Sequence, residues 1–212
     1  MIKQLTLVAM IILMALSACG PSQLEALDTQ MLMGDRESIT HLRMLDGNTG
    51  EMRIFAPGPE LTAALDFIDS IETQRETEQE PRSGYLYWIA GYRDGEEVFR
   101  VQFGGEVVNA DGVQYRSDRN LAAELDELYA SVPYGVLLDM AMADQAAELG
   151  IGADEVIPIS VEEYTFPDTS LGVPEEDMMY APVLTEGYIM TLSAAGETYV
   201  YHGADSTIVR AE

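Results

Sequence analysis

The sequence has a single cysteine, Cys19, among its 212 residues. A lone cysteine cannot form an intrachain disulfide, and it cannot supply the several thiolates of a structural zinc site. The composition is nevertheless that of a folded protein, because 47% of the residues are hydrophobic. We therefore expect the fold to be stabilised by packing alone.

Histidine is nearly as scarce as cysteine. The chain contains only His41 and His202, so few side chains are available as general bases near neutral pH. Ser170 and Asp168 would complete a hydrolytic triad with His202, but neither a nucleophile-elbow sequence nor a known triad spacing is present. We predict that the protein is not an enzyme and uses no cofactor.

Positive charge is the third scarcity. Only 11 Lys and Arg residues stand against 37 Asp and Glu residues, which gives a formal net charge of -26. This balance excludes nucleic acid and an anionic lipid surface as partners. A cationic ligand, a basic protein and divalent cations remain open, and the simplest interpretation is a solvated acidic surface that keeps the protein soluble.

The N-terminal segment, residues 1–19, has the pattern of an export signal. Lys3 provides an early positive charge, and the apolar run over residues 5–16 is too short to span a membrane. The segment ends in Leu-Ser-Ala-Cys, which resembles the lipobox of bacterial lipoproteins. The resemblance implies that Cys19 is lipidated and anchors the protein at an extracytoplasmic membrane surface, the outer membrane in a Gram-negative cell. An ordinary secretory signal and a short anchor helix are the alternative interpretations.

Residues 37–132 have the pattern of a small α+β domain, which a tether over residues 20–36 precedes. Two helices show an apolar residue every three or four positions, and turn sequences separate short strands. The first helix would bury Leu61 and Leu65, and the second would begin at an Asp118 cap. The strands are predicted at residues 37–45, 52–56, 85–92, 98–103, 106–108 and 113–116, and residues 72–81 are predicted to form a helix end and an exposed loop.

Residues 136–212 have the pattern of a second domain. A helix rich in Ala and Met is predicted over residues 136–149 and ends at Gly150, because glycine readily takes the left-handed conformation that closes a helix. The strands are predicted at residues 156–166, 187–192, 197–202 and 207–210. The predicted fold class is therefore α+β, with two small domains that each contain an antiparallel sheet and one or two helices.

Two stretches resemble domains of exported bacterial proteins. The sequence Gly84-Tyr85-Leu86-Tyr87, the Asp94-Gly95 turn and residues 108–115 resemble a lipoprotein domain that begins with a G-Y-x-Y strand. Residues 166–174 read F-P-D-T-S-L-G-V-P and resemble a W-P-D-x-S-L-G-C-P pattern that continues with G-Y-x-I-x-L and ends in Y-x-Y-H. Neither resemblance implies an activity.

The second resemblance also implies a disulfide that this chain lacks. The family often has cysteines where this sequence has Val173 and, close to the C-terminus, Ala211. Both cysteines are absent here, in agreement with the single cysteine of the chain.

The loop over residues 167–182 is the candidate binding site. Its acidic side chains offer oxygen ligands suited to calcium, with Asp168, Glu175 and Asp177 as the metal candidates. The alternative interpretation is structural: Asp168 would cap local amides, and the other acids would face water. The complete set of candidate loop residues is Asp168, Ser170, Glu175, Glu176, Asp177 and Tyr180.

This region also contains candidate ligands for a second type of metal site. Met178, Met179 and His202 offer the thioether and imidazole ligands that suit copper. Methionines beside strands more commonly fill gaps in a core, however. The soft site is therefore the less favoured interpretation.

The sequence supports three hypotheses about function. The first is a non-enzymatic, membrane-anchored lipoprotein that binds a protein or envelope partner and no nucleic acid. The second is a protein that binds or senses calcium through the acidic loop at residues 167–177. The third is an inhibitor of an exported enzyme that acts through the projecting loop at residues 167–182.

Overall fold

The structure of the protein is a computed structural model that describes residues 26–77 and 84–211. The predicted signal peptide and the lipidation site Cys19 lie outside the described residues. So do the first part of the predicted tether and the end of the loop predicted over residues 72–81. None of the helices within the described ranges is long and apolar enough to cross a membrane.

The first sheet contains seven antiparallel strands. In chain order they are β1 His41–Asp46, β2 Met52–Phe55, β3 Thr73–Arg75, β4 Tyr87–Arg93, β5 Glu96–Phe103, β6 Val107–Ala110 and β7 Val113–Ser117. Their order in the sheet is β2-β1-β4-β5-β6-β7-β3. The predicted turn between β4 and β5 is present, because Asp94 and Gly95 both take the positive φ, 50° and 84°, that a tight hairpin requires.

The second sheet contains four antiparallel strands, each paired with the next along the chain. They are β8 Ile157–Phe166, β9 Thr185–Ala194, β10 Glu197–Ala204 and β11 Thr207–Arg210. Their order is β11-β10-β9-β8, so β8 and β11 are the edge strands. The loop between β8 and β9 contains the candidate residues of the sequence analysis.

Four α-helices in the described ranges pack on these sheets: α1 Thr29–Met33, α2 Pro59–Asp69, α3 Ala122–Ala130 and α4 Gly135–Leu149. The last of them, α4, joins the two sheets, because it packs against β2 of the first sheet and against all four strands of the second. Its side chains Leu138 and Ala141 are completely buried. The α+β class with two helix-covered antiparallel sheets is thus confirmed, and most buried apolar side chains of the two sheets belong to one core that continues through α4.

The N-terminal part of the described chain is more regular than the predicted tether. Here Asp28 accepts a hydrogen bond from the Met31 N–H (2.9 Å) and begins α1, whose last residue Met33 is buried. A helix of five residues is too short to show a periodic apolar pattern, so the sequence gives no signal for it. The strand predicted from residue 37 begins only at His41, because Arg36–Ser38 form a 3₁₀ turn.

Two further predictions in the first domain were wrong. Residues 72–81 do not simply form a helix end and a loop, because β3 pairs with β7, with Gln74 opposite Arg116. This short polar strand has no alternating apolar pattern by which it could be recognised. Asp118 does not cap α3 either; the Asn120 side chain accepts the hydrogen bond from the Ala122 N–H (2.9 Å) instead.

One histidine is completely buried in the first sheet. The His41 ring stacks on the Tyr92 ring with 4.8 Å between centroids and 9° between planes, and its Nδ1 lies 3.1 Å from the Thr40 hydroxyl. Its Nε2 has no hydrogen-bond partner among the described residues. Burial, assisted by the Arg43 guanidinium, lowers the pKa of His41 to about 3. His41 is therefore neutral at physiological pH.

Candidate functional site

The start of the β8–β9 loop is held by hydrogen bonds within the loop itself. Asp168 Oδ1 accepts hydrogen bonds from the Ser170 N–H (2.9 Å) and from the Ser170 hydroxyl. The Ser170 oxygen in turn accepts a hydrogen bond from the Gly172 N–H (3.2 Å). These hydrogen bonds from Ser170 hold the pKa of Asp168 below its usual value. Asp168 and Ser170 therefore shape the loop, as the structural interpretation of this motif predicts.

A buried leucine fixes the same loop to the second sheet. Leu171 has a left-handed backbone (φ 52°) and packs in a small separate apolar cluster with Phe166 and Ala204. The Leu171 carbonyl lies 2.6 Å from His202 Nδ1. Because a carbonyl oxygen only accepts hydrogen bonds, this nitrogen must carry the proton. His202 therefore supports the loop backbone, and no hydrogen bond joins it to Ser170 in the part of the chain that the structure describes.

The remaining loop acids do not converge. Glu175, Glu176 and Asp177 are exposed, and the described residues contain no group of three His, Cys, Asp or Glu side chains placed to hold a metal ion. Tyr180 has a structural contact, since its hydroxyl accepts a hydrogen bond from the Glu175 N–H (3.1 Å). Asp168 is thus brought together with Ser170, but not with the other two metal candidates.

The methionines of the loop are not part of a closed site. Met178 is 59% exposed and Met179 is 95% exposed, whereas His202 is partly buried beneath the loop. The loop also exposes Val183 and Leu184 before β9 begins. The structure therefore does not bring the three candidate copper ligands into one buried cluster.

A different site lies where the second sheet meets the segment before α4. Two adjoining cavities of about 730 and 350 Å³ share Pro133, Glu163 and Tyr188 in their walls. We call the two together the acidic groove. Its carboxylates are Glu163, Glu186 and Asp205 in the larger cavity, and Glu60 and Glu163 in the smaller one.

The pairing of β8 with β9 places the central residues of the acidic groove. Glu163 lies directly opposite Tyr188, and Thr165 lies opposite Glu186. Because side chains alternate along a strand, these four residues share one face of the sheet. Gly187 lies between Glu186 and Tyr188 on β9, where a Cβ atom would lie 2.3 Å from the Gly203 carbonyl oxygen on β10. Only glycine fits this close approach.

Aromatic rings line the acidic groove beside the carboxylates. The rings of Tyr134 and Tyr188 meet edge to face, with 5.7 Å between centroids. Burial, and then the charge of Glu60, raises the pKa of the Tyr134 hydroxyl to about 12. Burial and the charges of Glu163 and Glu186 likewise raise the pKa of Tyr188. The carboxylates therefore lie close enough to act electrostatically on the aromatic wall.

The net electrostatic character of the acidic groove is negative. No basic side chain is among the described residues that line either cavity. The N-terminus of α4 lies next to Pro133 and Tyr134 and adds the positive end of a helix dipole, about half a unit charge. The four carboxylates outweigh this contribution, so a cation is favoured in the groove and an anion is not.

The acidic groove has no counterpart among the sites predicted from the sequence. Glu163 and Glu186 become neighbours only through strand pairing, and Glu60 comes from the first domain, so no local motif connects them. One signal was present. The two consecutive acids Glu162 and Glu163 interrupt the apolar alternation of a strand that was otherwise recognised.

These features describe an α+β protein of two joined antiparallel sheets with a ligand-sized groove at their junction. Residues 138–210 match the family model described as "Domain of unknown function (DUF8738)". The match begins within α4 and extends to the last residue of β11, so it includes Glu163, Glu186 and Asp205 but not Glu60. Comparison with curated proteins and with solved structures gives no significant match.

Proposed function

We propose that the protein is a non-enzymatic, extracytoplasmic lipoprotein that binds a cationic group of a protein or envelope partner in the acidic groove. The observation that carries the proposal is the combination of four carboxylates and no basic side chain among the described residues that line the two adjoining cavities. Ligand sites commonly occur in such clefts between packed units, with a few polar groups that select the ligand.

A cation would gain two kinds of contact in the acidic groove. Glu163 and Glu186 offer charged hydrogen-bond acceptors on adjacent strands. The ring of Tyr188, which lines both cavities, offers an aromatic face to an ammonium or guanidinium group. An organic cation such as a lysine, an arginine or a polyamine uses both kinds of contact.

The test must separate the acidic groove from the general negative charge of the protein. We expect the double substitution Glu163→Gln and Glu186→Gln to weaken the binding of spermidine about tenfold or more, because each lost ion pair contributes about 1 kcal/mol at a partly exposed site. Calorimetry at about 0.15 M salt measures this change, since long-range attraction is then screened beyond about 8 Å.

The matched control is the double substitution Glu175→Gln and Glu176→Gln. It removes the same two charges from the exposed β8–β9 loop, outside the residues that line the acidic groove. This variant should bind spermidine as the unmodified protein does. Equal weakening in both double variants would mean that only net charge attracts the cation, and the proposed site would be wrong.

The anchor of the proposed lipoprotein is Cys19. We expect the unmodified protein to be recovered with the membrane fraction and to incorporate a labelled fatty acid, whereas Cys19→Ser should be recovered without label in the soluble extracytoplasmic fraction. Ser22→Ala, three residues away, is the control and should behave as the unmodified protein. Retention of unlabelled Cys19→Ser in the membrane would contradict the lipid anchor.

A further inference from the structure

We propose that the cationic partner is an extended basic peptide segment that pairs with the free edge of β8 as an additional strand. This inference rests on the proposed function, because the basic side chains of the added strand would enter the acidic groove. It goes further by stating the conformation of the ligand and the backbone that holds it. Recognition by strand addition combines main-chain hydrogen bonds with pockets for alternate side chains.

The first observation is the open edge of β8. The strand has ten residues and, within the described part of the chain, pairs only with β9. Outside that pairing, no described backbone hydrogen bond involves its residues. The four residues 162–165 are all exposed, so the peptide groups on the outer edge are accessible along this length. An edge strand presents a row of such unpaired N–H and C=O groups.

The other sheet edges offer less backbone for pairing. The strands β3 and β11 have only three and four residues, and β2 packs against α4. Near its start, β8 itself is interrupted by Pro158 and by an irregularity in its pairing between Pro158 and Ser160. Pairing would therefore extend over about residues 160–166, a length of roughly 20 Å at about 3.3 Å per residue.

The second observation is the charge of this edge. Neither β8 nor β9 contains a Lys, Arg or His residue, while Glu162 and Glu163 lie next to each other on the open strand. Glu163 faces the acidic groove with Thr165, and Glu162 shares the opposite face with Tyr164. A strand beside β8 would place every second side chain, about 7 Å apart, along the groove.

The same charges argue against a second copy of this chain as the occupant. Two β8 edges paired with each other would bring like charges together across the new ladder, which is destabilising. The net charge of -26 adds repulsion between copies. Charge complementarity therefore favours a basic peptide, with lysine or arginine at alternate positions.

The experiment compares three seven-residue peptides that alternate valine and lysine. One has an unmodified backbone, and the other two are N-methylated at alternate residues, on the odd or on the even positions. N-methylation removes a backbone donor and leaves the lysine charges in place, and only one of the two sets of N–H groups can point towards β8. We expect one methylated peptide to bind the purified protein about tenfold or more weakly and the other to bind within about twofold of the unmodified peptide.

Each other outcome of the peptide experiment has a defined meaning. Equal binding by both methylated peptides, or equal loss by both, would overturn strand addition at β8. Spermidine has no peptide backbone and cannot pair with β8, so its binding tests the acidic groove alone. The peptide result is therefore independent of the spermidine result. If the peptide result is negative but spermidine still binds the Glu163→Gln and Glu186→Gln variant more weakly than its control, only strand addition is wrong. If spermidine binds both double variants equally, both proposals are wrong.

Discussion

The free energy of unfolding is expected to fall by up to about 1.4 kcal/mol per pH unit through His41 as the pH decreases from about 6.5 towards 3. The pKa of His41 is about 3 in the folded protein, compared with 6.5 for an unperturbed histidine, which represents the unfolded chain. In this window the unfolded chain binds a proton at His41 that the folded chain does not bind, so acid favours unfolding. Neutral His41 makes its full contribution to stability above pH 6.5. The largest loss of unfolding free energy that its protonation can cause is roughly 4–5 kcal/mol.

The physical cause is the environment of the His41 ring. The ring is fully buried against Tyr92, and its Nε2 has no described partner that would accept a hydrogen bond from the charged form. A buried imidazolium without a partner is costly. Asp139 acts in the opposite direction, because burial raises its pKa and the folded protein binds its proton more readily than the unfolded chain. Asp46, Glu124 and Asp168, whose pKa values lie below their usual values, act in the same direction as His41 as the pH falls further.

Urea unfolding of the unmodified protein and of His41→Gln at pH 7.0 and pH 4.5 measures this effect. The variant should be less stable at pH 7.0 but should lose much less stability between the two pH values. Tyr92→Phe is the control, because it keeps the stacked ring over His41 and should retain the pH dependence. An unchanged pH dependence in His41→Gln would show that other groups cause the acid sensitivity.

Replacement of Phe166 by alanine is expected to reduce the free energy of unfolding by about 3–5 kcal/mol. Phe166 is 1% exposed and is the largest member of the small cluster that holds Leu171 and Ala204. Its ring also lies against the His202 ring, with 5.1 Å between centroids. The cavity left by the substitution would remove the support of the loop backbone at Leu171, so the loss should be accompanied by opening of the β8–β9 loop.

Chemical denaturation gives the change in stability, and limited proteolysis within residues 167–184 reports the opening of the loop. Tyr164→Ala is the matched control, because Tyr164 is an aromatic residue on the same face of β8 but is half exposed. It should cost about 1 kcal/mol or less and leave the loop resistant to protease. If the two variants lose similar stability, the small cluster is not what holds the loop.

The sequence predicts those parts of the fold that depend on local chemistry. The helix over residues 136–149 is found as α4, and Gly150 ends it in the left-handed conformation (φ 70°) with its N–H donated to the Ala146 carbonyl. The structural interpretation of Asp168 also agrees with the structure, because an Asp two residues before a serine can form its hydrogen bonds within the loop. In each case the residues that decide the conformation are neighbours in the chain.

The parts that could not be predicted depend on contacts between distant segments. The strand β3 exists only because β7 provides an edge for it, and its own sequence, Thr-Gln-Arg, has no strand pattern. The acidic groove requires the β8–β9 register to bring Glu163 near Glu186, and a separate segment to bring Glu60 to its rim. The acids of residues 175–177 are closer together in sequence, but they do not converge in space.

The position of α4 between the two sheets has a consequence for how this protein can be divided. The matched domain begins at Leu138, three residues after the helix starts, and the apolar surface that α4 presents to β2 belongs to the shared core. A fragment cut at that boundary would lose the first turn of α4 and expose the side chains that β2 covers. The first sheet therefore covers an apolar helix face that residues 138–210 would expose on their own.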